Sequence, residues 1–118
     1  MYHAIIFDFD NTLINYNVCE RESLKRALQH HGILKDEEAE WERFQDIYNP
    51  INWGYWERRH EYTREQLTRY TFRDALEHYL GESDAAEQLA ETYWHYFCTS
   101  CYFEPGAHDV LRYVSRSY

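Results

Sequence analysis

Asp8 and Asp10 stand two residues apart in the stretch AIIFDFDNTL, residues 4–13, at the end of an apolar run. Two carboxylates this close repel each other unless a cation lies between them. On an ideal strand residues i and i+2 share a face, but just past a strand end the chain can turn and aim them separately. Paired acids suit a hard cation such as Mg2+, which takes one or two carboxylates and keeps several waters. With a phosphate bound there, one carboxylate can attack phosphorus and the other can act as general acid and base.

The elements around the pair must supply that aim. Residues 4–9 form an apolar run broken only by Asp8, which reads as a strand buried on both faces, the habit of a central parallel strand. Open parallel sheets bind ligands beyond the carboxyl ends of their strands, where Asp8 and Asp10 fall. Asn17 and Glu20 have the spacing of an N-cap with its reciprocal acid, and Leu24, Ala27 and Leu28 continue at helical spacing to His31, with Gly32 as the stop. A second helix is expected over 36–48, ended by Asn49-Pro50. Residues 51–62, INWGYWERRHEY, are aromatic-rich and irregular and fit either a short helix or a substrate-facing loop. Thr63 and Gln66 form a capping box for a helix to Leu80, closed by Gly81. Ser83 is the expected cap of a helix carrying Ala86, Leu89, Ala90, Tyr93 and Phe97. After Pro105-Gly106, residues 107–115 read as a last helix. One strand followed by four or five helices leaves the strand without a partner for its backbone groups.

Composition narrows the function classes. The chain has 118 residues, enough for one domain, and a net charge of −9, which excludes the basic footprint of nucleic-acid binding. Aromatics make up 19%, including 12 Tyr and 4 Trp, so burial is plentiful and disorder is not expected. No apolar stretch approaches the roughly 18 residues of a membrane span, and no signal-peptide pattern opens the chain. Three cysteines then read as free thiols in a reducing cytosol. The expected partners are a small phosphorylated metabolite, with no nucleic acid and no membrane.

The motif DFDNTL at 8–13 resembles the D-x-D-x-T-L first motif of the haloacid dehalogenase-like (HAD) superfamily, placed directly after an apolar run. The resemblance implies an α/β, Rossmann-like core, here reduced to its first strand, plus an α-helical cap, so a mostly helical chain. It divides the chain into 1–14 (first strand and motif), 15–100 (helical cap) and 101–118 (return to the core). FEPGAHDVLRYV at 103–114 is similar to the stretch that re-enters the core from such a cap. The resemblance implies that Asp8 is the nucleophile and a Mg2+ ligand, and that Asp10 is the acid/base residue lending its backbone carbonyl to the metal. Thr12 would support the loop, and the Phe9 and Asp10 amides would hold the phosphate. An aspartate at the second position favours phosphoryl transfer over dehalogenation. The pattern at 51–56 with Thr63 is similar to the cap of pyrimidine 5′-nucleotidases, with phosphoglycolate-phosphatase-like enzymes as the neighbouring expectation. The second-motif Ser/Thr, third-motif Lys and fourth-motif acids of the family are not found in these 118 residues, so the resemblance covers an N-terminal part and an incomplete site.

Other residues carry two readings each. Trp53, Tyr55 and Trp56 fit stacking on a nucleobase or packing within a helical cap. Asn15 fits a substrate contact at the hinge to the cap. Arg58 and Arg59 fit a solvated face or a phosphate contact. His30-His31 suits a helix C-terminus better than a metal. Cys98 and Cys101 form C-x-x-C without a second ligand pair, which favours packing over zinc or redox chemistry, and Cys19 reads as a small buried residue. Two function classes follow. One is a Mg2+-dependent phosphomonoester hydrolase working through an aspartyl-phosphate. The other is a non-catalytic helical interaction module that pairs through residues 4–9 with a second copy or a complementary chain.

Overall fold

A computed structural model describes residues 2–100 and 102–118 of the chain. The helices are α1 (Tyr16–His30), α2 (Glu38–Glu57), α3 (Arg64–Leu80), α4 (Ala86–Thr99) and α5 (Ala107–Ser115), with a 3-10 turn, Arg59–Glu61, between α2 and α3. The chain is therefore mostly helical, as expected. None of these helices is long and apolar enough to cross a membrane.

Local signals account for several boundaries. The Thr63 hydroxyl accepts the Gln66 amide at 3.2 Å while the Gln66 side chain accepts the Thr63 amide at 2.9 Å, completing the capping box of α3. Gly81 ends that helix at φ 81°, a left-handed conformation that a side chain would strain. α5 also forms where the residue pattern places it.

Three boundaries differ from expectation. The cap of α1 is Asn15, whose side chain accepts the Val18 amide at 3.1 Å, and not Asn17. The Asn15 amide is held by the Tyr102 carbonyl at 2.7 Å with the backbone extended, so the helix starts immediately after it and Asn17 falls in its first turn. α2 does not stop at Asn49-Pro50 but runs through Pro50 to Glu57. The lost backbone donor is outweighed by the half-buried Ile51, Tyr55 and Trp56 that the continued helix packs inward. Ser83 does not cap α4 with its hydroxyl, which donates to Glu77; its carbonyl takes the Ala86 amide instead.

Residues 4–9 form no strand, and Ile6 is 95% exposed, contrary to the doubly buried strand expected. A strand is held by ladder hydrogen bonds to neighbours, and among the described residues no segment pairs with 4–9. The pairings present are isolated bridges, Asp10 with Ile14 and Ile14 with Phe103.

α2 packs on α3, α3 on α4 and α4 on α1, and all four feed one core. Leu28, Phe44, Phe72, Leu76 and Leu89 are wholly buried within it, each burial worth roughly 1.5–3 kcal/mol. α5 packs extensively on none of the four.

Candidate functional site

The turn after Asp8 is built by convergence on one carbonyl. The amides of Thr12, Leu13 and Ile14 all donate to the Phe9 oxygen, at 3.3, 3.0 and 3.2 Å, and the Asn11 amide donates to Ile14 at 2.8 Å. Asn11 makes the reversal with φ 57°, a left-handed conformation that asparagine tolerates better than most residues. Its side-chain oxygen then accepts the Tyr16 amide at 3.1 Å, which ties the turn to the start of α1. The far side is pinned as well, since the Glu104 amide donates to Leu13 at 2.9 Å and Asn15 donates to Tyr102. Cys19, buried beneath, takes the Tyr102 amide on its sulfur at 3.3 Å.

The expected site residues therefore share one turn. Asp8, Asp10 and Thr12 are exposed, and the Thr12 hydroxyl donates to Asp8 at 3.4 Å. Asn15 is occupied by its capping bond. Among the described residues, the Phe9 and Asp10 amides have no backbone or side-chain acceptor, and amide pairs of this kind suit an anion.

Among the described residues no three His, Cys, Asp or Glu side chains lie together as a metal cage. Asp8 and Asp10 still supply the donor chemistry Mg2+ uses, hard carboxylate oxygens with room for water, so the two fit part of such a shell.

The turn opens onto a cavity of about 660 Å3. Phe9, Asp10 and Asn11 form one lip, Tyr16, Asn17 and Glu20 come from α1, and Tyr48, Asn52, Trp53 and Trp56 come from the second half of α2. Arg64, Leu67 and Thr68 begin α3, and Tyr93, Trp94 and Phe97 lie on α4. The α2 extension through Pro50 thus brings Asn52, Trp53 and Trp56 to the cavity. The aromatic wall is continuous with the core: Tyr16 meets Phe97 edge-on at 5.7 Å, and Phe97 lies 5.8 Å from Tyr93.

Electrostatics in this cavity follow from burial. Desolvation, with Glu20 and Asp10 nearby, pushes the Tyr16 phenol up to about 12, partly offset by Arg64. Burial raises Tyr48 and Tyr93 well above the ordinary phenol value. Glu20 is raised by burial and drawn back by a hydrogen bond from the Asn52 amide at 3.4 Å.

The remaining expectations divide. Trp53 and Trp56 line the cavity, whereas Tyr55 turns away to Tyr62 and Tyr70 and donates to Asp74. Arg58 lies over the Tyr55 and Tyr62 rings, and Arg59 donates to the Trp56 carbonyl; neither lines the cavity. His31 is bonded to Thr92 at 2.7 Å and His30 meets Tyr96, which is packing between α1 and α4. Cys98 is an exposed thiol, while Cys101 lies outside the described residues. Residue patterns missed Glu20, Asn52 and Arg64 as cavity residues. For Glu20 the signal was masked by its spacing to Asn17, and for Arg64 by its place beside a capping box.

No family model matches the chain. Over 112 residues the chain is 27% identical to the pyrimidine 5′-nucleotidase PynA of Streptococcus pneumoniae, covering 93% of this chain and 45% of that protein. The structure superposes with a TM-score of 0.68 and 20% identity on YfnB from Bacillus subtilis, a protein described as a HAD-hydrolase and solved bound to magnesium, covering 93% of this chain and 46% of that one. The chain spans about half the length of each of these relatives. The likeness to YfnB shows that the chain has the fold of about half of that HAD-hydrolase, and the similarity to PynA points the same way as the resemblance carried by DFDNTL.

Proposed function

We propose that the chain carries the nucleophile turn and substrate cap of a Mg2+-dependent phosphomonoester hydrolase, with a nucleotide as the substrate class. The observation that supports it is the placement of Asp8 and Asp10 on a doubly pinned turn whose lip opens onto an aromatic-walled cavity. A carboxylate oxygen of Asp8 attacks phosphorus, forming an Asp8–phosphorus bond as the ester P–O bond breaks. Asp10 gives its proton to the departing oxygen. Water then attacks the aspartyl-phosphate, Asp10 takes back a proton, and phosphate leaves with the Asp8 carboxylate restored. The Phe9 and Asp10 amides face the phosphate oxygens, and Thr12 steadies Asp8. Asp8 and the Asp10 carbonyl would hold Mg2+, which would supply charge to offset the two acids and the phosphate. The similarity to a pyrimidine 5′-nucleotidase and the magnesium bound to YfnB support this reading.

The test is phosphate release from a generic phosphomonoester with and without Mg2+, for the parent and Asp8→Asn. Release that needs Mg2+ and vanishes in Asp8→Asn is expected; release that survives the substitution overturns the assignment. The non-catalytic module is the second reading, favoured by the exposure of Ile5, Ile6 and Phe9. It predicts no turnover together with self-association through residues 4–9, and a strictly monomeric chain in sedimentation counts against it.

A further inference from the structure

The cavity holds two polar side chains whose bonding is unfinished. Glu20, from α1, and Asn52, from α2, make one side-chain hydrogen bond each among the described residues, and it is the one between them, at 3.4 Å. A contact that long is weak. The second Glu20 oxygen, the Asn52 carbonyl oxygen and one Asn52 N–H remain free to meet a ligand. Both groups sit half-buried against aromatic surface, where an unpaired polar group costs more than in water. The volume falls in the range of small-molecule sites, which are mostly apolar with a few placed polar groups. Trp53 adds a flat face at 67% exposure, its indole N–H steadied by Glu57 at 3.0 Å.

We propose that Glu20 and Asn52 form the specificity-determining pair of this cavity, selecting a neutral planar heterocycle that shows an N–H donor beside an acceptor along one edge. The carboxyl group of Glu20 accepts the ring N–H, the Asn52 amide donates to the adjacent ring carbonyl, and Trp53 and Phe97 take the ring faces. Charge excludes the opposite choice, because among the described residues Asp10 and Glu20 face Arg64 as the one cation lining the cavity. An anionic ring or a second phosphate would meet an excess of acid there. Burial raises the Glu20 carboxyl above its ordinary value, the direction in which an uncharged ligand is easier to enclose beside it than an anion. The proposal rests on the phosphomonoester reading and names the part of the substrate that leaves with the oxygen.

The test uses the whole chain and phosphate-free probes, so that binding is read apart from catalysis. The indole N–H resonances of Trp53, Trp56 and Trp94 are followed by NMR while uridine, uridine methylated on its ring N–H, or ribose is added. Uridine is expected to shift the Trp53 and Trp56 signals saturably. The methylated analogue and Glu20→Gln should each weaken binding about tenfold or more, the loss of a hydrogen bond to a charged or acidic group. Asn52→Ala should do the same, and Trp53→Ala, at an exposed position that leaves the core intact, should weaken binding independently. Uridine that moves no indole signal, or that binds as tightly when methylated and to both Glu20→Gln and Asn52→Ala, overturns the proposal. Uridine binding that depends on Glu20 alongside phosphate release that ignores Asp8 would sink the hydrolase reading and leave this one standing.

Discussion

At the residue scale, the consequential side chain is Glu20, displaced from an expected capping role into a cavity. Burial raises its carboxyl pKa above the ordinary value of 4.5, so the folded protein holds that proton more tightly than the unfolded chain does. Stability from this group is then fully present below the ordinary carboxylate range and lost as pH rises through the folded value. Glu20→Gln is expected to raise the melting temperature at neutral pH, and the gain should shrink to nothing on acidification below about pH 4. A pH-independent difference would show that the carboxyl is not the cause. Asn11 offers a second case, because its φ of 57° is what reverses the chain after Asp10. Asn11→Gly should be tolerated, whereas Asn11→Val should cost about 1–2 kcal/mol in urea unfolding and disturb the Tyr16 amide signal, since the bond from Tyr16 to the Asn11 side chain is lost.

At the element scale, what could be read from residues was what local chemistry decides. The capping box at Thr63, the left-handed glycines and the run of α5 are each set within four or five residues, and all were legible. Thr63→Ala should cost about 1 kcal/mol, measured as a lower urea midpoint at unchanged slope. The failures have a common physical cause, which is contact distant in sequence. Asn15 rather than Asn17 caps α1 because Tyr102, far along the chain, holds its amide. Pro50 fails to end α2 because aromatic packing on α3 outweighs one missing bond, and no local pattern reports that. The same argument makes Pro50→Ala a stabilising change of about 1–3 kcal/mol, since the new amide can reach the Asp46 carbonyl. Of the candidate site, the Asp8–Asp10 turn was legible because its residues adjoin. The cavity was not, because Glu20, Asn52, Arg64 and Phe97 come together only when four helices pack.

At the scale of the whole molecule, the chain is drawn out. Its radius of gyration is 17.2 Å, where a compact chain of this length would have roughly 13–14 Å. Residues 2–9 and α5 lie outside the four-helix core, and Ile14, after the first, bridges to Phe103, before the second. Apart from Trp53 and Leu80, every large apolar side chain exposed among the described residues belongs to 2–9 or 103–118, with Ile6 at 95% and Tyr113 at 74%. Exposed apolar surface favours association by the same burial that built the core. Ile6→Asp combined with Tyr113→Asp places charge there at positions that contribute little to the fold, so urea stability should stay within about 0.5 kcal/mol of the parent. Binding of an apolar fluorescent dye should fall, and sedimentation should lose its dependence on protein concentration. If dye binding and sedimentation match the parent while stability is unchanged, the adhesive surface lies elsewhere, and the pairing of residues 4–9 with another chain loses its physical basis.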